Sequence, residues 1–401
     1  MSKINVALLG YGTVGKGVYR TIESHQDRLQ RLLGKEVKVV AILVRNIDKH
    51  IAPDEHVLLT TNYEDILSLP ELHIVIDAIV GREPGFSYLK KAIDKGCHVV
   101  TANKEMFAFH GTELQALALE KGVGLGYEAT VAGGIPIIQT IRQLLSVNHF
   151  LGIEAILNGT TNFILTNMRK LGSTFAEALQ VAKENGYAES DPTNDIEGYD
   201  ALYKGMVLSQ LIYGGKPNIK SVKRKGITHI QPNHMKIAEE ADLRFKHVVT
   251  LSKSNNEIQC KVEPVLVPDS HPFYQVEGVQ NSVSLATDLL GTLQLQGPGA
   301  GMFPTASAIL EDIIQLENEH KAPPAAKDSV TDQDALSQWV IFGGYLESEK
   351  LGSDIKIIEK LDDTAWVIEA EYIPLGLSHS SDVTIYPLRG KYERKKLPIQ
   401  V

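Results

Sequence analysis

Cysteine is scarce: Cys97 and Cys260 are the only two in 401 residues. That excludes a disulfide scaffold. With no C-x-x-C it also argues against a cysteine zinc site, and it fits a reducing compartment. Long apolar runs are missing as well. No stretch reaches the ~18–20 residues of a membrane span. The opening MSKINVALLGYG is too short for a secretory leader and has no cleavage site. A cytoplasmic protein with no membrane partner is expected. Positive charge is in deficit, since 40 Lys and Arg against 49 Asp and Glu give a net charge of −9. Nucleic-acid binding is dominated by cationic contacts to phosphate, so a nucleic-acid partner is not expected. A small anion in a local basic pocket remains open. Nucleophile signatures are absent too, with no G-x-S-x-G. The histidines form no metal constellation, and His229 and His234 read as packing or surface residues. Cys97 reads as core.

What is present is enough chain for two to three domains. The first 130 residues alternate apolar, β-rich runs (4–9, 37–44, 74–80, 97–101, 123–127) with helical segments, among them 14–33 and 104–120. Near-continuous apolar strands separated by helices predict a parallel sheet covered on both faces. The expected class is therefore α/β, a Rossmann-type doubly wound domain. After Thr130 the pattern becomes mixed. Helices are expected at 163–170, 174–185, 199–213 and 304–317, and strands at 153–157, 258–262 and 263–267. The expected division is 1–130 with 297–317 for nucleotide binding, then 131–296 as an α+β catalytic and dimerisation domain. A linker follows at 318–333, and 334–401 forms a small C-terminal α+β appendage with strands at 355–358, 364–373 and 381–386.

Gly10-Tyr11-Gly12-Thr13-Val14-Gly15 is G-x-G-x-x-G, placed between a predicted strand and a predicted helix. That context is what the dinucleotide mechanism needs. The first glycine makes the turn, the second admits the pyrophosphate, and the third lets helix and strand close up. A ligand-free glycine turn is the bland alternative. Where the second strand ends, an NAD site would place an acid. Here Arg45 stands instead and suits a 2′-phosphate, which favours NADP with NAD still possible. Asp48 is the counter-signal.

Residues 186–204 read GYAESDPTNDIEGYDALYK, with Glu189, Asp191, Asp195, Glu197 and Asp200 close together. A solvated loop or a plain i,i+4 pair, Asp200 with Lys204, would explain the pattern without function. The spacing of a calcium-binding loop is not met. The functional alternative puts Asp200 and Lys204 on one helix face toward a pocket, where carboxylates hold an ammonium and a lysine moves a proton at a carbonyl oxygen. Lys104 follows the fourth strand of the sheet, beyond whose carboxyl end ligands of such sheets bind.

In order along the chain, ALLGYGTVGKGV, HVVTANKEMFA, YEATVAGGIPII, NGTTNFILTNM, GYAESDPTNDIEGYDALYK and GPGAGMFPTASAIL resemble the homoserine dehydrogenase family. The resemblance implies reversible reduction of L-aspartate 4-semialdehyde to L-homoserine by NAD(P)H, on the route to threonine, methionine and isoleucine. It implies Lys204 as proton donor and Lys104 beside cofactor and substrate. It implies Glu189 and Asp200 as substrate-binding acids supported by Asp195, and Gly301 at the cofactor. It also implies a sodium ion held mainly by backbone oxygens of Glu128, Val131, Gly133 and Ile135, and a homodimer. Two lysines brought together would lower one another's pKa. The tail lacks the D-R-P-G-V-L-like start of an ACT domain. It is expected as a structural appendage, with a divergent ACT-like regulatory domain as the alternative. The rival functions are another amino-acid-linked dehydrogenase and an NADP(H)-binding regulatory or sensor protein without turnover.

Overall fold

The computed structural model describes residues 2–254, 257–317, 337–343, 355–371, 373 and 383–392. The expected linker at 318–333 lies outside them, as do parts of the tail strands expected at 364–373 and 381–386.

Apolar runs build the first sheet. Strands β1 (Lys3–Leu9), β2 (Glu36–Leu43), β3 (Leu58–Thr60), β4 (Ile74–Asp77), β5 (His98–Thr101) and β6 (Leu125–Gly126) stand in the order β3-β2-β1-β4-β5-β6. Every neighbouring pair is parallel. This is the doubly wound order, with its reversal between β1 and β4. Between them run α1 (Thr13–Ser24), α2 (Gln26–Leu33), α3 (Tyr63–Leu67), α4 (Gly85–Asp94) and α5 (Lys104–Lys121). The single helix expected over 14–33 is two helices. The chain leaves helical geometry at His25, and α2 buries Leu29. No glycine or proline marks that break.

The middle of the chain contributes α6 (Ile137–Gln139), β7 (Phe150–Ile156), α7 (Gly159–Leu171), α8 (Phe175–Glu184), α9 (Thr193–Ile196), α10 (Tyr199–Tyr213), β8 (Lys223–Arg224) and α11 (Pro232–Glu240). Strands β9 (Leu243–Ser254), β10 (Glu257–Pro268), β11 (Gln280–Thr287) and β12 (Gly291–Pro298) follow, then helix α12 (Met302–Glu317). Tail strands β13 (Ser337–Phe342), β14 (Ile355–Asp362), β15 (Ala365–Ala370) and β16 (Thr384–Leu388) complete a second, mixed sheet. Its order is β12-β11-β7-β9-β10-β16-β13-β15-β14, with β8 also beside β10.

Two short strands were expected where β10 runs unbroken. Pro264 lies inside it, in the gap between the β8 pairing at Lys261 and Val262 and the β16 pairing at Leu266. An amide is not needed there, so proline is tolerated. The tail strands extend this same sheet: Tyr386 is wholly buried beside Phe245 and Phe342.

One face of the second sheet packs Ile153, Val249, Leu251 and Val262 into a core shared with α5 and α10. Helix α12 packs instead on α1 and the first sheet, where Ile309 and Ile313 join Val6, Leu8 and Val39. Among the described residues no helix is long and apolar enough to cross a membrane.

Candidate active site

Two parts of the chain meet at the carboxyl edge of the first sheet. The first is the glycine loop after β1. Gly10 has φ +101, and a Cβ there would lie 2.9 Å from the Ala78 carbonyl. A Cβ on Gly15 would collide with the Gly10 carbonyl, whereas Gly12 faces open space. This division of labour leaves the α1 N-terminus open, with no side chain capping its first amides, an arrangement able to receive a pyrophosphate. Thr13 and Val14 open that helix. The Gly10 amide bonds the Leu43 carbonyl at 2.9 Å, so the end of β2 adjoins the loop. Arg45, two residues on, is exposed.

The second part centres on Asp200, on the first turn of α10. Glycines with positive φ, Gly198 and Gly214, bound this helix. Asp200 Oδ1 lies 2.9 Å from Lys104 Nζ and its Oδ2 2.6 Å from Lys204 Nζ. Lys204 also donates to the Leu157 carbonyl at 2.6 Å. Asn158 donates to Asp195 Oδ1 at 2.7 Å and to Asp200 Oδ2 at 2.9 Å. Lys104 opens α5. That helix is capped by Asn103, whose Oδ1 accepts from the Met106 amide at 3.1 Å. The buried Asp77 accepts from the Thr101 hydroxyl at 2.9 Å, which holds the end of β5 in place. Burial pushes Asp77 up to about 6.

The electrostatics separate the two lysines. Burial would push Asp200 up, but Lys104, Lys204 and Asn158 together hold it well below the ordinary carboxylate range. The Asp200 charge holds Lys104 above its usual value, although a side chain that is 42% exposed is partly screened. Burial pulls Lys204 down. The expectation that both lysines would be lowered is therefore corrected: a shared anion outweighs their repulsion at Lys104. Burial and the neighbouring Asp200 raise Asp195.

Of the five clustered acids, Asp195 and Asp200 join the lysines, and exposed Glu189 acts on Lys104 through its charge. Asp191 instead caps the turn at Thr193, and Glu197 pairs with Arg224 at 3.6 Å. Asn158 and the Leu157 carbonyl were missed from the sequence. The N-G-T-T junction announces a helix cap there, but its second role depends on tertiary contact. His229 stacks on Tyr386 and His234 on Phe342, and Cys97 is core.

The stretch 128–135 is almost wholly buried, and Ala132 and Gly133 take successive positive φ values of 56° and 55°. The Glu128 carboxylate accepts from the Ile138 and Gln139 amides at 2.9 and 2.7 Å, and burial pushes it up to about 7. Its amide donates to Asp312 of α12 at 2.9 Å. Gly133 lies against Gly299, and the Gly134 amide bonds the Pro298 carbonyl at 3.0 Å. The turn through Gly301 (φ +123) therefore returns the chain to α1, where Met302 abuts Gly17. No cluster of three His, Cys, Asp or Glu suited to a metal occurs among the described residues.

Comparison with known proteins places these features. Residues 10–128 match the family model described as "Homoserine dehydrogenase, NAD binding domain", and residues 136–314 the one described as "Homoserine dehydrogenase". The homoserine dehydrogenase of Lactococcus lactis is 38% identical over 325 residues, which cover 79% of this chain and 75% of that protein. The crystal structure of a homoserine dehydrogenase from Thiobacillus denitrificans superposes with a TM-score of 0.87 at 32% identity, over 97% of this chain and 99% of the other. A hyperthermophilic archaeal homoserine dehydrogenase in complex with NADPH superposes with a TM-score of 0.68 at 30% identity, over 80% and 99%.

Proposed function

The chain belongs to the homoserine dehydrogenase family, oxidoreductases acting on a CH–OH group with a nicotinamide cofactor, and from that premise we propose how its residues divide the work. The reaction interconverts L-aspartate 4-semialdehyde and L-homoserine. The observation that carries the assignment of roles is the Lys104–Asp200–Lys204 array, at 2.9 and 2.6 Å.

Gly10, Gly12, Thr13, Val14 and Gly15 hold the cofactor pyrophosphate, with Gly301 and Lys104 completing that side. Gly12 supports this, because its α-carbon faces open space. When bound, the nicotinamide supplies the hydride for the aldehyde carbon. Lys204, buried and aimed by Asp200 and Leu157, gives the aldehyde oxygen its proton. Lys104 is more exposed. It turns from Asp200 Oδ1 to the same oxygen and stabilises the charge that grows there. Glu189, Asp195 and the vacated Asp200 Oδ1 hold the substrate ammonium, so the aldehyde meets the hydride in one orientation.

Arg45 pairs with the 2′-phosphate, so NADPH is the preferred cofactor. Arg45→Ala lowers kcat/KM with NADPH by about 10- to 100-fold, the worth of one charged hydrogen bond, and leaves NADH turnover unchanged. A sodium ion sits among the backbone oxygens of Glu128, Val131, Gly133 and Ile135. Their all-oxygen character suits a hard cation, and the two successive left-handed residues bend that stretch into a tight buried turn. Replacing sodium by choline lowers the melting temperature. A second copy of the chain covers the polar face of the second sheet, around Glu154, Thr250 and Ser284, and sedimentation then reports a dimer. The enzyme works in the cytoplasm on the route to threonine, methionine and isoleucine, and both cysteines are free. Division of the chain at about 131 and 297 follows the same reading.

The direct test is loss of NADPH absorbance with aspartate semialdehyde, with NADH in parallel. Folded protein that turns over neither cofactor sinks the reading.

A further inference from the structure

We propose that Asn158 is a positioning residue that decides which carboxylate oxygens face the substrate ammonium, a role that rests on the dehydrogenase reading above. The side chain belongs to a residue only 4% exposed, and every hydrogen-bonding capacity it shows is directed. Its Nδ2 donates to Asp195 Oδ1 at 2.7 Å and to Asp200 Oδ2 at 2.9 Å, which uses both amide hydrogens. Its Oδ1 accepts from the Thr161 amide at 2.8 Å and so caps α7. That cap fixes the orientation of the carboxamide. The opposite flip would set an oxygen against two carboxylates and an NH2 against an amide N–H.

Two carboxylates this close repel, and burial makes the repulsion stronger. One neutral group that donates to both removes part of that cost without adding charge. Lysine would add charge, and serine would reach neither oxygen pair at once. The charged groups that face Asp195 are Asp200 and Lys204 from α10 and Lys104 from α5. Asn158 faces it from α7, and Arg224 of β8 engages Glu197 on the far side of the same loop. With Asp195 Oδ1 and Asp200 Oδ2 tied to Asn158, Asp195 Oδ2 is left to meet an ammonium, joined by Asp200 Oδ1 once Lys104, 2.9 Å away, turns to the substrate oxygen. Asn158 thus sorts four carboxylate oxygens into two that hold the site together and two that bind.

Three full-length variants test this in homoserine oxidation with NADP+. Asn158→Ser keeps a capping hydroxyl and loses the double donor. It should melt within a few degrees of the parent and bind NADP+ unchanged. Its KM for homoserine should rise about 10- to 100-fold, as expected for lost hydrogen bonds to charged groups, while kcat falls less. The acidic limb of homoserine binding, read as Kd against pH, should move to higher pH, because ionised Asp195 loses a donor that favours it. Asn158→Asp also keeps the cap. It should bind homoserine worst at high pH and recover as pH falls and its own carboxyl regains a proton to donate. Asn158→Ala should lose both cap and donor. A Ser variant with the parent KM and acidic limb overturns the proposal. So does one whose losses track its melting temperature and NADP+ affinity together. Calorimetric binding of homoserine keeps the two readings apart. A parent protein that binds homoserine without turnover overturns the dehydrogenase reading alone, since the Asn158 effect is still read from the Kd.

Discussion

Replacing Lys204 by methionine removes one nitrogen and keeps most of the buried stem. Nζ touches two oxygens, Asp200 Oδ2 and the Leu157 carbonyl, each at 2.6 Å. Asp200 does not become an unpaired buried charge, because Lys104 remains 2.9 Å from its other oxygen. The usual loss on breaking a buried pair, about 3–5 kcal/mol, is therefore largely avoided. The stability change should be on the order of 1 kcal/mol. Catalysis should suffer far more. A positioned general acid contributes about 10²- to 10⁴-fold, or about 3–5 kcal/mol of barrier at 1.36 kcal/mol per tenfold. The assay is kcat for semialdehyde reduction with NADPH, beside the NADPH Kd from fluorescence. Loss of kcat at an unchanged Kd is expected. The pH dependence adds a sign. Reduction needs protonated Lys204, so kcat falls as pH rises through the pKa of this lysine, which burial pulls below the ordinary value. Oxidation needs the neutral amine, so its kcat rises through the same range. Lys204→Met should erase both limbs. A variant within tenfold of the parent, or one that keeps the limbs, refutes the assignment.

Four other substitutions test binding and folding in turn. Gly12→Ala meets no atom within 4 Å in the absence of cofactor, so its melting temperature should match the parent while the NADPH Kd rises; Gly15→Ala, driven into the Gly10 carbonyl, should fail to fold stably. Burial holds His247 down at about 4, so folding favours its neutral form and stability is lost as pH falls from its unfolded pKa near 6.5 toward 4. That loss is worth up to about 3 kcal/mol, and urea titrations across this range should show it flattened in His247→Gln. Tyr386→Ala empties the aromatic contact that joins the tail strands to β9, and should cost about 3–5 kcal/mol in chemical unfolding; a change under 1 kcal/mol would show that the tail is not held there.

The parts of the fold that were legible in the sequence are those set by local chemistry. Helix α10 spans 199–213 as expected, because glycines at 198 and 214 punctuate it and both take positive φ. The glycine loop was readable because strand, turn and helix are contiguous. The break at His25 was not, since no glycine or proline marks it and the burial of Leu29 in α2 is a tertiary contact. Strand β10 was divided at Pro264 because a proline inside a strand is admissible only where the neighbouring edge is open, and that edge is a tertiary fact. The tail strand at 337–342 was overlooked. Its partners, β15 and β16, lie across segments whose pairing no local pattern reveals. At the site, Lys104, Asp195, Asp200 and Lys204 were named from spacing and resemblance. Asn158 and the opposite shifts of the two lysines needed the distances, because one anion acts differently on an exposed and a buried amine.

Helix α12 has a consequence for how the protein is made. Its Ile309 and Ile313 sit in the same cluster as Val6, Leu8 and Val39, yet six of the ten strands of the second sheet, β7 to β12, are synthesised between them. The amino-terminal third leaves the ribosome with one side of its core uncovered. At roughly 5–20 residues per second, the covering helix arrives on the order of ten to forty seconds later. Throughout that interval the nascent chain shows an apolar surface along α1 and β1, the surface a chaperone would hold, and a fragment ending near residue 130 should stay bound there indefinitely.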